Sequence, residues 1–127
     1  MRVCGTLYRA LNPVWARAPL SGAGAARHGG RFNPVGMAAL YLSCDPLTAL
    51  REANQVGELQ PTTLVSFAAD VALVFDGGDA AALARYGTTP ALLADPGWRL
   101  AMRGGGTAPT QRLARWLACE GWSGLLA

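Results

Sequence analysis

The sequence predicts a single α+β domain. Its 127 residues suit one domain and suffice to bury a core. Hydrophobic residues make up 51% of the chain and charged ones only 15%, which argues against disorder. Short β-prone runs also alternate with short helical segments punctuated by Gly, Pro and Asp.

In chain order, Val3–Leu11 alternates loosely and reads as a first strand with Arg9 near its end. Residues 12–36 are rich in glycine and proline and read as a loop, long enough to suggest a functional one. Residues 37–42 (MAALYL) form a short apolar strand candidate. Asp45-Pro46 supplies an N-cap followed by proline at the first helical position, opening a helix to about Val56. Residues 63–67 and 71–75 have strand propensity. A short alanine-rich helix over 79–86 ends at Gly87, and a weaker helical stretch over 92–102 is broken by Pro96-Gly97. After the glycine run 104–106, residues 109–120 read as a helix closed by Gly121, and 122–127 as a final strand.

Several function classes are disfavoured. No apolar run approaches the roughly 20 residues that span a bilayer, and MRVCGTLYRAL lacks the features of a secretion signal. Cys4, Cys44 and Cys119 show no C-x-x-C pairing, which suits free thiols in a reducing cytoplasm, the expected location. His28 is the sole histidine, so neither a metal site nor a Ser-His-Asp triad is expected.

All eleven basic residues are arginines. Codon bias accounts for that preference, but not for its distribution. Arg2, Arg9, Arg17, Arg27 and Arg31 precede the first acid, Asp45, so they have no local carboxylate. Such a stretch favours an anionic ligand, and the planar guanidinium fork matches phosphate. Residues 61–127 balance five arginines against five acids, so the basic region is local and a nucleic-acid footprint is disfavoured.

Ser21-Gly22-Ala23-Gly24 and Gly29-Gly30-Arg31-Phe32-Asn33 suit a phosphate clamp, because glycine lets backbone N–H groups approach a ligand. An ordinary surface loop has the same composition, and neither the dinucleotide fingerprint nor a P-loop is present. Tyr41 in an apolar strand reads as a core residue or a stacking ring. On a helical wheel Glu52 lies beside Ala49 and Val56 at the margin of the apolar face, with Thr48, Arg51 and Gln55 toward solvent.

The runs Leu7-Tyr8-Arg9, Pro19-Leu20-Ser21-Gly22-Ala23-Gly24-Ala25-Ala26, Gly29-Gly30-Arg31-Phe32-Asn33-Pro34-Val35-Gly36, Leu40-Tyr41-Leu42-Ser43 and Pro46-Leu47-Thr48-Ala49-Leu50-Arg51-Glu52 together resemble the RES domain family. Its members are toxins of Xre–RES (ParS–ParT-type) toxin–antitoxin pairs. The resemblance implies an ADP-ribosyltransferase-like split sheet with flanking helices, and NAD+ as substrate without a metal. It maps the family's catalytic arginine, tyrosine and glutamate onto Arg31, Tyr41 and Glu52. A cofactor-binding set of Arg9, Ser21, Gly22, Gly30, Arg31, Phe32, Asn33 and Tyr41 follows from it. The family serine is expected after Gly124-Leu125-Leu126, past Ala127.

The resemblance further implies a cognate antitoxin, through which alone nucleic acid is contacted. The segment Arg51-Glu52-Ala53-Asn54-Gln55-Val56-Gly57 resembles the branch that ADP-ribosylates phosphoribosyl pyrophosphate synthetase. Protein modification therefore ranks first. NAD+ glycohydrolase or phosphorylase activity follows, and a non-catalytic nucleotide-binding module or an inactive fragment is the alternative from another class.

Overall fold

A computed structural model describes residues 1–54 and 61–127. Among them are six α-helices and two two-stranded sheets, a mixed α+β architecture. These residues form two compact units interleaved along the chain. One comprises Val3–Gly22 and Leu40–Asp70; the other comprises Met1–Arg2, Ala23–Ala39 and Val71–Ala127.

The first of these units is built on β1 (Val3–Leu11) and β2 (Thr63–Val71), which pair with each other. Strand β2 alternates half-buried and exposed residues along its length, so one face is covered and the other meets solvent. Helix α2 (Pro46–Ala53) packs on β1. The Asp45 side chain accepts a bond from the Thr48 N–H at 2.9 Å, so the N-cap expected from the sequence is in place. The expected end of this helix near Val56 lies outside the described residues. Between β1 and α2 the chain makes a 3-10 turn over Pro13–Trp15, capped by Asn12.

The expected strand over 37–42 is not formed. Besides β2, the described pairing on β1 is one antiparallel bridge just downstream of that segment, where Tyr8 and Ser43 exchange backbone bonds of 2.8 and 2.9 Å. With no ladder over 37–42, apolar character alone does not make a strand.

The second unit centres on Phe75, Leu83, Leu93, Leu113 and Leu117, all buried. It contains α1 (Ala23–His28), β3 (Val74–Asp76), α3 (Ala80–Ala84), α4 (Pro90–Ala94), α5 (Trp98–Arg103), α6 (Pro109–Cys119) and β4 (Gly124–Leu126). Strands β3 and β4 pair in parallel, Val74 opposite Gly124, with the four helices α3–α6 supplying the crossover that a parallel pair requires. Phe75 meets Tyr86 and Trp122 edge-on, at centroid separations of 5.4 and 5.3 Å.

Breaks between these elements follow local chemistry. Sequence propensity separates strands at 63–67 and 71–75, whereas β2 continues to Val71 and the break falls at Leu73. Leu73 adopts a left-handed φ of 54°, which the β ladder does not accommodate. Pro96 biases Asp95 away from the helical region, and Asp95 is extended (φ −61°, ψ 123°), so the stretch 92–102 is divided between α4 and α5. Gly121, at φ 89°, closes α6. Helix α1 is a correction to the loop expected over 12–36: six residues turn helically inside it.

Candidate functional site

The expected site residues are distributed over both units. Arg9, Ser21, Gly22, Tyr41 and Glu52 belong to the unit built on β1 and β2; Gly30, Arg31, Phe32 and Asn33 belong to the unit of the leucine core.

Near the end of β1, half-buried Arg9 turns one arm onto its own loop. Its Nη1 donates to the Pro19 carbonyl at 2.6 Å and the Ser21 carbonyl at 3.0 Å. These bonds fasten residues 19–21 to the strand. Partial burial lowers the Arg9 pKa from the ordinary arginine value, yet arginine remains protonated at neutral pH. Gly22 follows directly and is half-buried. Tyr41 lies two residues before the Ser43 bridge, outside any strand, with 42% of its surface exposed. It is therefore not the core tyrosine of an apolar strand. In α2, Ala49 takes the buried position and Glu52 is exposed in the last turn. Glu52 is thus exposed beside the buried side of a helix that packs on β1.

In the other unit, Gly30 and Asn33 exchange backbone bonds of 2.8 and 3.4 Å, making a tight two-residue hairpin with Arg31 and Phe32 at its tip. Phe32 packs against the leucine core. Gly29 precedes the hairpin at φ 72°, a left-handed conformation that favours glycine; a Cβ there would also displace the flexible end of Met102, 2.6 Å away. Asn33 has no exposed surface. Its Nδ2 donates to the carbonyls of Ala25 and Met37, each at 2.8 Å, which ties the hairpin to α1 and to the segment that follows.

Arg31 itself is half-buried. Its Nη2 donates to the Asp95 carbonyl over a long 3.4 Å. Its Nε is buried with no hydrogen-bond partner; among the described residues Thr88 Oγ1 is the only other buried side-chain polar atom in that condition. An unsatisfied buried donor is costly, and one on a guanidinium invites an anionic acceptor. Asp95 and Thr110, which both bond Arg31, also line a groove of about 220 Å3 shared with Leu92, Trp98, Ala101 and Pro109. Ligand pockets typically run from about 300 to 1,000 Å3, so this groove is the size of one ring and not of a dinucleotide.

A family model described as RES domain matches residues 6–127, nearly the whole chain. The chain belongs to the RES domain family. RES domains are associated with NAD-related toxin–antitoxin systems and are generally NAD-utilising, enzyme-like proteins. Toxins of such systems imply an antitoxin partner. Searches of curated proteins and of solved structures returned no match. Among the described residues no helix is long and apolar enough to cross a membrane, and no three His, Cys, Asp or Glu side chains gather as a metal site.

Thr110 and Gln111, both 1% exposed, were not among the residues that sequence reasoning selected. The Thr110 hydroxyl donates to the Arg31 carbonyl, and Gln111 Nε2 donates to the Gly30 carbonyl at 2.8 Å. The local signal for Gln111 was its place as the third residue of a helix opened by Pro109, where a glutamine reaches back to the N-cap. Its Oε1 does accept from the Ala108 N–H at 3.0 Å. No local signal points to its second partner, 81 residues away in sequence.

Proposed function

We propose that this RES domain cleaves NAD+ at the bond between nicotinamide and ribose and transfers ADP-ribose to a side chain of a cytosolic protein, of the phosphoribosyl pyrophosphate synthetase type. The observation that carries the reading is Arg31: a half-buried guanidinium with a buried Nε that has no acceptor within the described protein. A pyrophosphate oxygen supplies that acceptor. The arginines of residues 1–31, which have no acid near them in sequence, support the same ligand chemistry.

In this reading the family roles carry over residue by residue: Arg31 and Arg9 bind the pyrophosphate, and Ser21, Gly22, Gly30 and Phe32 contribute to NAD+ binding. Asn33 contributes by holding the hairpin shape. Tyr41, with its ring exposed, stacks on nicotinamide or the adjacent ribose. As the glycosidic bond breaks, its electron pair leaves with the nicotinamide nitrogen, and positive charge builds on the ribose as in glycoside hydrolysis. The Glu52 carboxylate stabilises that charge. Nicotinamide departs as a neutral base, so no strong general acid is needed. An acceptor nucleophile then bonds to the ribose carbon and loses its proton. A cognate Xre/ParS-type antitoxin is proposed to restrain the activity by covering Arg31.

Nicotinamide release from NAD+ by the wild-type chain and by Glu52→Ala tests the chemistry. Release by the wild type and its loss in the variant are expected; equal release by both would sink the catalytic assignment. Labelled NAD+ with the candidate acceptor protein, with phosphate, or with water alone then identifies the acceptor, and labelled protein is the outcome this reading requires.

A further inference from the structure

We infer that Thr110 and Gln111 are positioning residues for Arg31, holding its backbone so that the guanidinium is delivered to the anionic ligand in a fixed orientation. This inference rests on the reading of Arg31 as the pyrophosphate ligand.

Four observations support it. Arg31 sits at the tip of a two-residue hairpin whose local ties are the two Gly30–Asn33 backbone bonds; the one onto the Gly30 carbonyl is long, at 3.4 Å, and the Arg31 carbonyl lies outside them. Thr110 donates to the Arg31 carbonyl and Gln111 to the Gly30 carbonyl, so α6 holds the two successive peptide groups that flank the Arg31 Cα. Both side chains are 1% exposed in an otherwise leucine-lined helix face, a place where hydrophobic residues would serve packing alone. Finally, the helix end that carries them is itself fixed, since Gln111 Oε1 accepts from the Ala108 N–H and Leu113 and Leu117 anchor the helix in the core.

Among the described residues the side chain of Arg31 makes one long bond, to the Asp95 carbonyl. Its orientation is therefore set from the backbone, and a buried helix is a far stiffer reference than a glycine-rich loop. Holding a binding group in this way conserves affinity, because less freedom is lost when the ligand arrives.

Three substitutions separate positioning from general packing. Thr110→Val keeps the shape and removes the hydroxyl donor. Thr110→Ser restores the donor. Gln111→Glu keeps an oxygen for the Ala108 N–H and suits a helix N-terminus, but sets an acceptor against the Gly30 carbonyl. Arg31 reactivity toward phenylglyoxal, followed by mass spectrometry without NAD+, reads the hairpin directly. Several-fold faster labelling is expected in Thr110→Val and Gln111→Glu, with Thr110→Ser returning to the wild-type rate.

Steady-state NAD+ cleavage supplies the second measurement. A misplaced binding group weakens ground and transition states together, so KM is expected to rise about tenfold with kcat nearly unchanged. A merely structural defect would instead lower the active fraction and hence kcat, at constant KM. Wild-type labelling rates in both Thr110→Val and Gln111→Glu would overturn the inference, as would a kcat loss at constant KM. If the wild type itself fails to release nicotinamide, the NAD+ reading falls, and the labelling rates still decide whether α6 positions Arg31.

Discussion

Replacing Asn33 with aspartate changes one nitrogen for one oxygen and nothing in volume, which makes it a clean probe of how the Arg31 hairpin is held. Asn33 is fully buried, and its Nδ2 donates to the Ala25 and Met37 carbonyls at 2.8 Å each. In Asn33→Asp a carboxylate oxygen faces both carbonyls. Each lost bond is worth about 1 kcal/mol, and each buried group left unsatisfied costs about 1–3 kcal/mol. Partial relaxation brings the expected loss to about 3–4 kcal/mol at neutral pH, or a fall in Tm on the order of 10 °C.

The sign of the pH dependence follows from the same geometry. Burial beside two carbonyl oxygens favours the protonated carboxyl, so the folded-state pKa of the introduced aspartate is raised above its unfolded value of about 3.9. Relative to the charged form, stability is therefore fully present below about pH 3.9 and lost as pH rises through the folded-state pKa. Urea unfolding of wild type and variant from pH 4 to 8, with each midpoint compared at the same pH, measures both effects. A variant within about 0.5 kcal/mol of wild type at pH 7, or one whose deficit does not shrink on acidification, would refute the reasoning.

Three further outcomes are expected. Leu83→Ala removes a core side chain with no exposed surface and should cost about 2–5 kcal/mol in denaturant unfolding, with Leu83→Val intermediate. The Thr48 N–H, and next the Thr48 hydroxyl, hold the Asp45 carboxyl below its ordinary pKa. Its capping contribution to α2 is thus present above the unfolded carboxylate value and lost as pH falls through the lower folded one, an acid loss of helical circular dichroism that Asp45→Asn should not share. Tyr86 donates to Glu120 Oε2 at 2.5 Å, and that bond raises the phenol pKa above 10.0. The bond's contribution is present below the unfolded value and lost as pH rises through the folded one, and Glu120→Gln should bring the ultraviolet titration of Tyr86 back toward 10.

Much of the secondary structure was legible because its punctuation is local. Asp45-Pro46 caps and opens α2, Pro96-Gly97 divides α4 from α5, and Gly121 closes α6; in each case the backbone preference of one or two residues decides the matter. The strand expected over 37–42 failed for the opposite reason. A strand exists only where a partner supplies a ladder, and besides β2 the described pairing on β1 is the single bridge to Ser43. Likewise the helical turn Ala23–His28 lies in a segment whose glycines conceal it.

The candidate site divides along the same line. Arginines without acidic neighbours, and Arg31 set behind two glycines, are properties of the linear chain, and they named an anion-binding loop before any fold was known. Family spacing added Tyr41 and Glu52. Composition did not reveal that Asn33 faces inward, that Arg9 spends one arm on its own loop, or that Arg31 keeps a buried donor unmatched. Nor did it connect Thr110 and Gln111 to a hairpin about 80 residues earlier. Those facts depend on which polar groups the packing brings within reach of one another. Only the folded chain determines that, because a buried polar group must find its partner wherever the packing brings one.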